Sequence, residues 1–392
     1  MNTTYKVNRI DLSAVLEALQ SCLPSNREII NLHSPYFLGN EWKYVKECLD
    51  TGWVSSCGNF VDQFEQMLTE YTGLNAVAMV NGTAALHLAL KLRGVKSDDE
   101  VLVPDLTFVA TANAVVYCGA IPHFVDSNEK TLGVDPVKLR NWLDKITAKK
   151  KGECFNKQTG RRIRALIAVH TFGHPVDLDP IAELCREFGI ELIEDAASAI
   201  GSFYKEKHVG YAGSLAILSF NGNKIMTTGG GGAILTQDEP MRELARHLTT
   251  TAKTPHPWAF YHDQIGYNYR MPNINAALGC AQLENLRRFL ESKRALAAQY
   301  QKAFSEIHGI HFFVEPEFAK SNYWLNTLML DEDQAHLRDT LLALTHERGI
   351  MTRPAWTLMH QLPMFRDCPR MDIEIAESLQ ARVINIPSSP FL

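Results

Sequence analysis

No run of this 392-residue chain reaches the roughly 18 consecutive apolar residues of a membrane span, and its first residues carry no signal-peptide core. A membrane partner is therefore not expected, and a cytoplasmic location is. Cysteine pairing is missing too. Cys22, Cys48, Cys57, Cys118, Cys154, Cys185, Cys280 and Cys368 are scattered with no C-x-x-C, which argues against a disulfide framework and against a metal site. A net charge of −5 leaves no basic footprint for nucleic acid. Neither G-x-G-x-x-G nor G-x-x-x-x-G-K-[ST] occurs, so a nicotinamide-binding Rossmann domain and a P-loop are both unsupported. Internal repeats and low-complexity tracts are also lacking.

What is present describes an ordinary globular chain, 46% hydrophobic and 21% charged, long enough for two domains. One basic stretch, residues 145–164 around Gly152 and Gly160, stands apart. Composition reads it as a solvated loop; its charge also suits an electrostatic guide for a phosphate-bearing substrate. From Thr83 to about His247, apolar runs at 101–103, 122–125, 163–169, 190–193, 215–220 and 233–236 alternate with helical segments at 107–117, 135–146 and 178–188. Right-handed crossovers then give a largely parallel sheet with helices on both faces. Helical spacing follows over 273–307, then a strand at 323–330, a helix at 334–347 and a strand at 383–386. The expected organisation is an N-terminal arm over 1–28, a large domain over 29–250 and a smaller C-terminal α/β domain over 251–392.

Lys224 is the most informative residue. The run ending in Ser219-Phe220 delivers it onto a turn, and four glycines, Gly229 to Gly232, follow. An amine held off a rigid strand beside open backbone suits attack on a carbonyl. A second apolar run ends in Glu194-Asp195-Ala196-Ala197. A carboxylate at one strand end and a lysine at another are the two fixed points that pyridoxal 5'-phosphate needs, at its ring nitrogen and its aldehyde. A lone lysine in such a place is usually a surface residue; the paired carboxylate changes that reading.

Other residues fit around this pair. Asn81-Gly82-Thr83 ends one apolar run and opens a helix, either as an ordinary threonine cap or as a phosphate seat on the helix dipole. Phe108 suits a core position or a platform for a flat ring, and Ser219 a local bond or a phosphate. Tyr267-Asn268-Tyr269-Arg270 forms a polar, aromatic loop that reads equally as a turn or as a ligand contact. His170, Trp356 and His360 sit in apolar surroundings and read as packed groups.

With these residues in order, the chain resembles the DegT/DnrJ/EryC1/StrS family of sugar-nucleotide aminotransferases. The resemblance runs from about Asn31 to Pro390 through Gly52-Trp53-Val54-Ser55, Asn81 to Leu86, Thr107-Phe108-Val109-Ala110-Thr111-Ala112, Ile193 to Ala197, Ser219-Phe220 to Lys224, Gly266 to Met271, Thr352-Arg353-Pro354 and Asn385 to Ser389. It implies a pyridoxal-phosphate-dependent transferase of fold type I, aspartate aminotransferase-like, with a large mostly parallel-sheet domain and a smaller C-terminal one. On the same resemblance Lys224 bonds the cofactor's aldehyde and moves protons, and Asp195 pairs with the ring nitrogen. Gly82, Thr83 and Ser219 hold the phosphate, and Phe108 stacks on the ring. Asn268 reaches the site of a neighbouring subunit, implying a homodimer with shared active sites. Ser198 stands where the family often has Gln or His on the cofactor's phenolic oxygen. Trp356 and His360 are candidates for the sugar side. The all-glycine run, the arm and the basic insertion resemble the branch that aminates C4 of a nucleotide-linked 4-keto-6-deoxy-N-acetylhexosamine with L-glutamate as donor. A sugar dehydratase of the same fold has histidine in place of the lysine, so Lys224 argues against it. A non-catalytic binding protein on this scaffold has no need of Lys224 and Asp195 together.

Overall fold

The computed structural model describes residues 10–150 and 152–392; the first nine residues of the expected arm, and Lys151 of the basic stretch, lie outside the described residues. Seven strands form the main sheet: β1 (Asn75–Met79), β2 (Glu100–Pro104), β3 (Ile121–Val125), β4 (Ile163–Val169), β5 (Glu191–Asp195), β6 (Leu215–Ser219) and β7 (Gly232–Thr236). Their order is β1-β7-β6-β5-β4-β2-β3. Neighbours from β6 to β3 run parallel, whereas β7 is antiparallel to both β1 and β6. The parallel strands are apolar and buried, as a sheet covered on both faces requires.

Helices pack on this sheet, on one another and on a second sheet. They include α1 (Leu12–Ser21), α2 (Glu41–Thr51), α3 (Asn59–Thr72), α4 (Gly82–Leu92), α5 (Val109–Tyr117), α6 (Pro136–Ile146), α7 (Leu178–Phe188), α8 (Glu239–Thr249), α9 (Asn273–Glu284) and α10 (Leu286–Ala303). A four-stranded antiparallel sheet with the segments around it forms a second lobe: β8 (Ile310–Phe312), β9 (Asn326–Leu330), β10 (Arg353–Pro354) and β11 (Val383–Ile386), in the order β8-β9-β11-β10. Helix α1, capped by the Asp11 carboxylate on the amides of Ser13 and Ala14, buries Val15, Leu16 and Leu19 in the core of this second sheet, beside Leu296 and Tyr300. Helix α9 instead packs on α2 and α3. Among the described residues, no helix is long and apolar enough to cross a membrane.

Four details depart from the sequence expectation. The helix expected from Thr107 starts at Val109, leaving Phe108 as its exposed first cap. The long helix over 273–307 breaks at Asn285, whose side chain bonds back to the Ala281 carbonyl at 3.1 Å. The strand expected from Tyr323 begins only at Asn326, because Tyr323 has φ of 48°, outside any extended conformation. The basic stretch is a hairpin, Thr147–Lys150 against Glu153–Asn156, and not a bare loop. Its cations serve local partners: Arg162 bonds Asp99 and Glu153, and Lys149 Nζ donates to the Glu187 carbonyl.

The glycine run answers to a close approach. A Cβ on Gly232 would lie 2.6–2.7 Å from backbone atoms of Asn81 and Gly82, so β7 can pass the start of α4 only without a side chain there. Gly230 has no such neighbour, its nearest being the Val80 carbonyl at 3.9 Å. Gly232→Ala should therefore destabilise the protein by about 1–3 kcal/mol, seen as a lower melting temperature, while Gly230→Ala changes melting far less. Equal effects would remove the close approach as the reason for the run.

Candidate active site

The parallel strands end at one edge of the main sheet, and there the chain encloses a cavity of about 350 Å³. Register brings the expected pair together: Asp195, last in β5, lies opposite Ile217 of β6, and the turn after β6 carries Lys224. Both residues line the cavity, with Gly82, Thr83, Phe108, Ser198, Ser219 and Trp356.

Lys224 Nζ donates to Ser198 Oγ at 2.7 Å and lies 3.7 Å from the centroid of the Trp324 ring. Burial lowers its basicity to about 8, with the Asp195 charge opposing. Asp195 is 7% exposed. Its Oδ2 accepts from Thr111 Oγ1 at 2.8 Å and its Oδ1 from the Ala197 amide at 3.1 Å. Thr111 in turn meets Thr107 at 3.0 Å between hydroxyls. One face of the carboxylate is thus held by the protein, and its residue still opens on the cavity.

Across the cavity, α4 presents its N-terminus. Asn81 Oδ1 caps the Ala84 amide at 2.8 Å, and a Cβ on Gly82 would sit 3.0 Å from Ser219 Cβ. Glycine therefore lets the helix start and the Ser219 hydroxyl converge on one spot, where the helix dipole favours an anion. Phe108, 56% exposed, stands over the opening with Trp356, their ring centroids 6.1 Å apart. Trp356 also packs on Phe172 at 4.7 Å.

One residue expected at the sugar side lies elsewhere, and Asn268, expected to reach a neighbouring subunit's site, also lies outside this cavity. His360 does not line the cavity: its Nδ1 meets Asp105 Oδ2 at 2.6 Å and its amide donates to Asp105 Oδ1 at 2.9 Å. Asn268 pairs with Thr250 beyond this cavity, on the loop leading to α9. The basic hairpin borders no part of it either. Sequence reasoning passed over the roles of Thr111 and Trp324, and read His170 only as a packed group. Thr107 and Thr111 are four residues apart with the same hydroxyl, a spacing that puts two side chains on one helical face and so could have marked Thr111. His170 lines the cavity, and its Nε2 meets the buried Glu194 at 3.1 Å. Nothing local in the sequence marks Trp324.

These residues fit pyridoxal phosphate. The donor set offers a carboxylate for a protonated ring nitrogen, an amine for an aldehyde, a helix N-terminus with a hydroxyl for a phosphate, and an aromatic face for a flat ring. The buried amine also has a thermodynamic signature. Because its folded-state pKa lies below the unfolded one, the unfolded chain binds the extra proton from about pH 8 up to the ordinary lysine range. Stability of the cofactor-free protein should rise with pH across that window, by up to about 1.4 kcal/mol per pH unit. Denaturant titrations should show this rise reduced in Lys224→Met; equal slopes for the two proteins would contradict it.

The model of the DegT/DnrJ/EryC1/StrS aminotransferase family matches residues 37–392. The chain is 38% identical over 364 residues to the putative pyridoxal phosphate-dependent aminotransferase EpsN of Bacillus subtilis, covering 92% of this chain and 90% of that protein. It is 38% identical over 366 residues to a GDP-perosamine synthase of Escherichia coli O157:H7, covering 93% and 94%. The solved aminotransferase TlmJ from Streptoalloteichus hindustanus matches with a TM-score of 0.82 at 28% identity, over 92% of this chain and 93% of that one. The chain belongs to the DegT/DnrJ/EryC1/StrS aminotransferase family, and is a pyridoxal-phosphate-dependent sugar aminotransferase of fold type I.

Proposed function

We propose that this aminotransferase moves the amino group of L-glutamate to C4 of a nucleotide-linked 4-keto-6-deoxy-N-acetylhexosamine, giving a 4-amino-4,6-dideoxy sugar for cell-surface glycan. The observation that carries the reading is a single buried amine, Lys224, facing the same cavity as a protein-held carboxylate, Asp195. When bound, pyridoxal phosphate supplies an electron sink that stabilises charge on the carbon being deprotonated. The protein's part is positional and protonic. Asp195 holds the proton on the ring nitrogen. The start of α4 with Ser219 anchors the phosphate, and Phe108 and Trp356 keep water from the reacting face. Lys224 Nζ takes a proton from the donor's α-carbon and returns one to the sugar carbon; a basicity near 8 suits both directions at neutral pH.

One observation favours a second member of the substrate class. Three relatives at 34–38% identity are named GDP-perosamine synthases, which supports a GDP-linked sugar. A mass-spectrometric product assay on UDP- and GDP-linked 4-keto sugars, with and without the N-acetyl group, separates these. The expected result is exchange of one keto oxygen for an amino group, dependent on L-glutamate. Cofactor-loaded protein that aminates none of the panel would overturn the reading. Lys224→Ala should lower turnover by at least about 10³-fold.

The reading extends to a cytoplasmic homodimer. All eight cysteines are free, as a reducing compartment leaves them. Trp258, Phe260 and Ile265 are 81%, 80% and 87% exposed on the loop that precedes Asn268, an apolar patch of the kind that marks an interface. Sedimentation velocity should give about twice the 44.0 kDa chain mass, and Phe260→Asp should shift the protein towards monomer with loss of activity. A fully active monomer would refute shared sites.

A further inference from the structure

The chain does not enter β9 smoothly. Tyr323, at φ 48°, holds a left-handed conformation that is costly for an aromatic residue and persists only where its surroundings enforce it. Asn322 supplies the enforcement. Its side-chain amide donates to the carbonyls of Ser198 and Ile200, both at 2.9 Å, and its Oδ1 accepts the Trp324 amide at 2.8 Å. Beneath, the wholly buried Lys293 of α10 donates to the Trp324 carbonyl at 3.2 Å and to the Ser388 carbonyl. The indole Nε1–H donates to the carbonyl of Asn223, the residue before Lys224, at 2.8 Å. Every polar group of Trp324 is therefore engaged, and its ring is held in one orientation. In it, the ring centroid lies 3.7 Å from Lys224 Nζ, while the same amine donates to Ser198 Oγ.

From this geometry we infer that Trp324 is a positioning residue for Lys224: the second lobe reaches into the cavity and seats the unbonded amine between an indole face and Ser198 Oγ, governing its protonation. The ring acts in two opposed ways. It excludes water, which disfavours the ammonium form, and its electron-rich face favours that form. Burial outweighs the opposing Asp195 charge at this amine. The other charged or titratable groups that face it are Asp195 at the end of β5, His170 after β4, and His33 ahead of α2. Lys293 lies under Trp324. A substitution at Trp324 removes none of them. Both nitrogens of His33 are buried without a partner among the described residues, and the charges of Lys224 and Lys293 add to burial in holding it neutral.

The inference rests on the preceding reading only in taking Lys224 as the reacting amine. Its test needs neither cofactor nor sugar, so the two succeed or fail separately. In cofactor-free protein, the rate of acylation of Lys224 relative to the exposed Lys91, read by peptide mass spectrometry over about pH 6 to 11, gives the titration midpoint of Lys224. Trp324→Ala admits water and should raise that midpoint by about one unit or more. Trp324→Leu keeps an apolar cover but removes the ring face, so the midpoint should fall by about half a unit. Trp324→Phe should stay near the unsubstituted protein. Opposite movement by Ala and Leu is the signature, because general loosening of the structure moves both upward. Unmoved midpoints, or movement of both in the same direction, overturn the inference. Melting curves identify a variant that fails to fold; if Ala does, the comparison of Leu with Phe decides.

Discussion

A single sealed carboxylate holds this active site in register. Glu194 is wholly buried, yet it accepts from the amides of Gly210, Ala212 and Gly213 at 2.7–2.9 Å and from His170 Nε2 at 3.1 Å. Burial alone would push its pKa up, but the His170 bond and charge, with the glycine amides, hold it below the ordinary carboxylate value. Its neighbour Asp195 points the other way, since successive residues of a strand face opposite sides. The buried anion thereby ties the end of β5 to the turn that launches β6, and so fixes the spacing between Asp195 and the strand that leads to Lys224. Removing one partner from such a network leaves donors unpaired in a dry interior, which costs more than the bond itself contributed.

The second lobe completes what the sheet begins. Trp324 reaches the cavity from the approach to β9, braced by Asn322 on the Ser198 carbonyl, and Trp356 reaches it from the segment after β10. The buried Asp105, just after β2, grips His360 through side chain and backbone. Burial raises the pKa of Asp105 despite that grip, so the joint is a hydrogen-bonded latch three residues from Phe108, in a dry setting. His360 therefore relates to the site through Asp105 and not by facing the cavity.

Several parts of this were legible in the chain. Lys224 and Asp195 follow apolar runs at strand ends, and the 3.6 and 2.0 periodicities of 83–247 encode the alternation that makes the sheet parallel. Gly82, close to the Ser219 side chain, and Gly232, close to the backbone of Asn81 and Gly82, stand where a Cβ would crowd its neighbours. Boundaries were less legible at Asn285 and Tyr323, where a backward bond of Asn285 and the distant bonds of Asn322 override local propensity, and at Phe108, which caps its helix in an extended conformation with no side-chain bond. The hairpin form of the basic stretch was not legible for a related reason: Arg162 pairs with Asp99 and Glu153 and Lys149 bonds the Glu187 carbonyl, partners that composition cannot assign.

The sequence by itself therefore determined which reactive groups the chain has to bring together, since an amine, a carboxylate and a helix start have intrinsic reactivity, charge and dipole. Only the tertiary structure decided how basic the amine is and what surrounds it. Desolvation is a sum over all atoms nearby, and the decisive ones, Trp324 and Ser198, stand 100 and 26 residues from Lys224 along the chain. No local pattern records that meeting, because it is set by the packing of the second lobe on the edge of the first sheet.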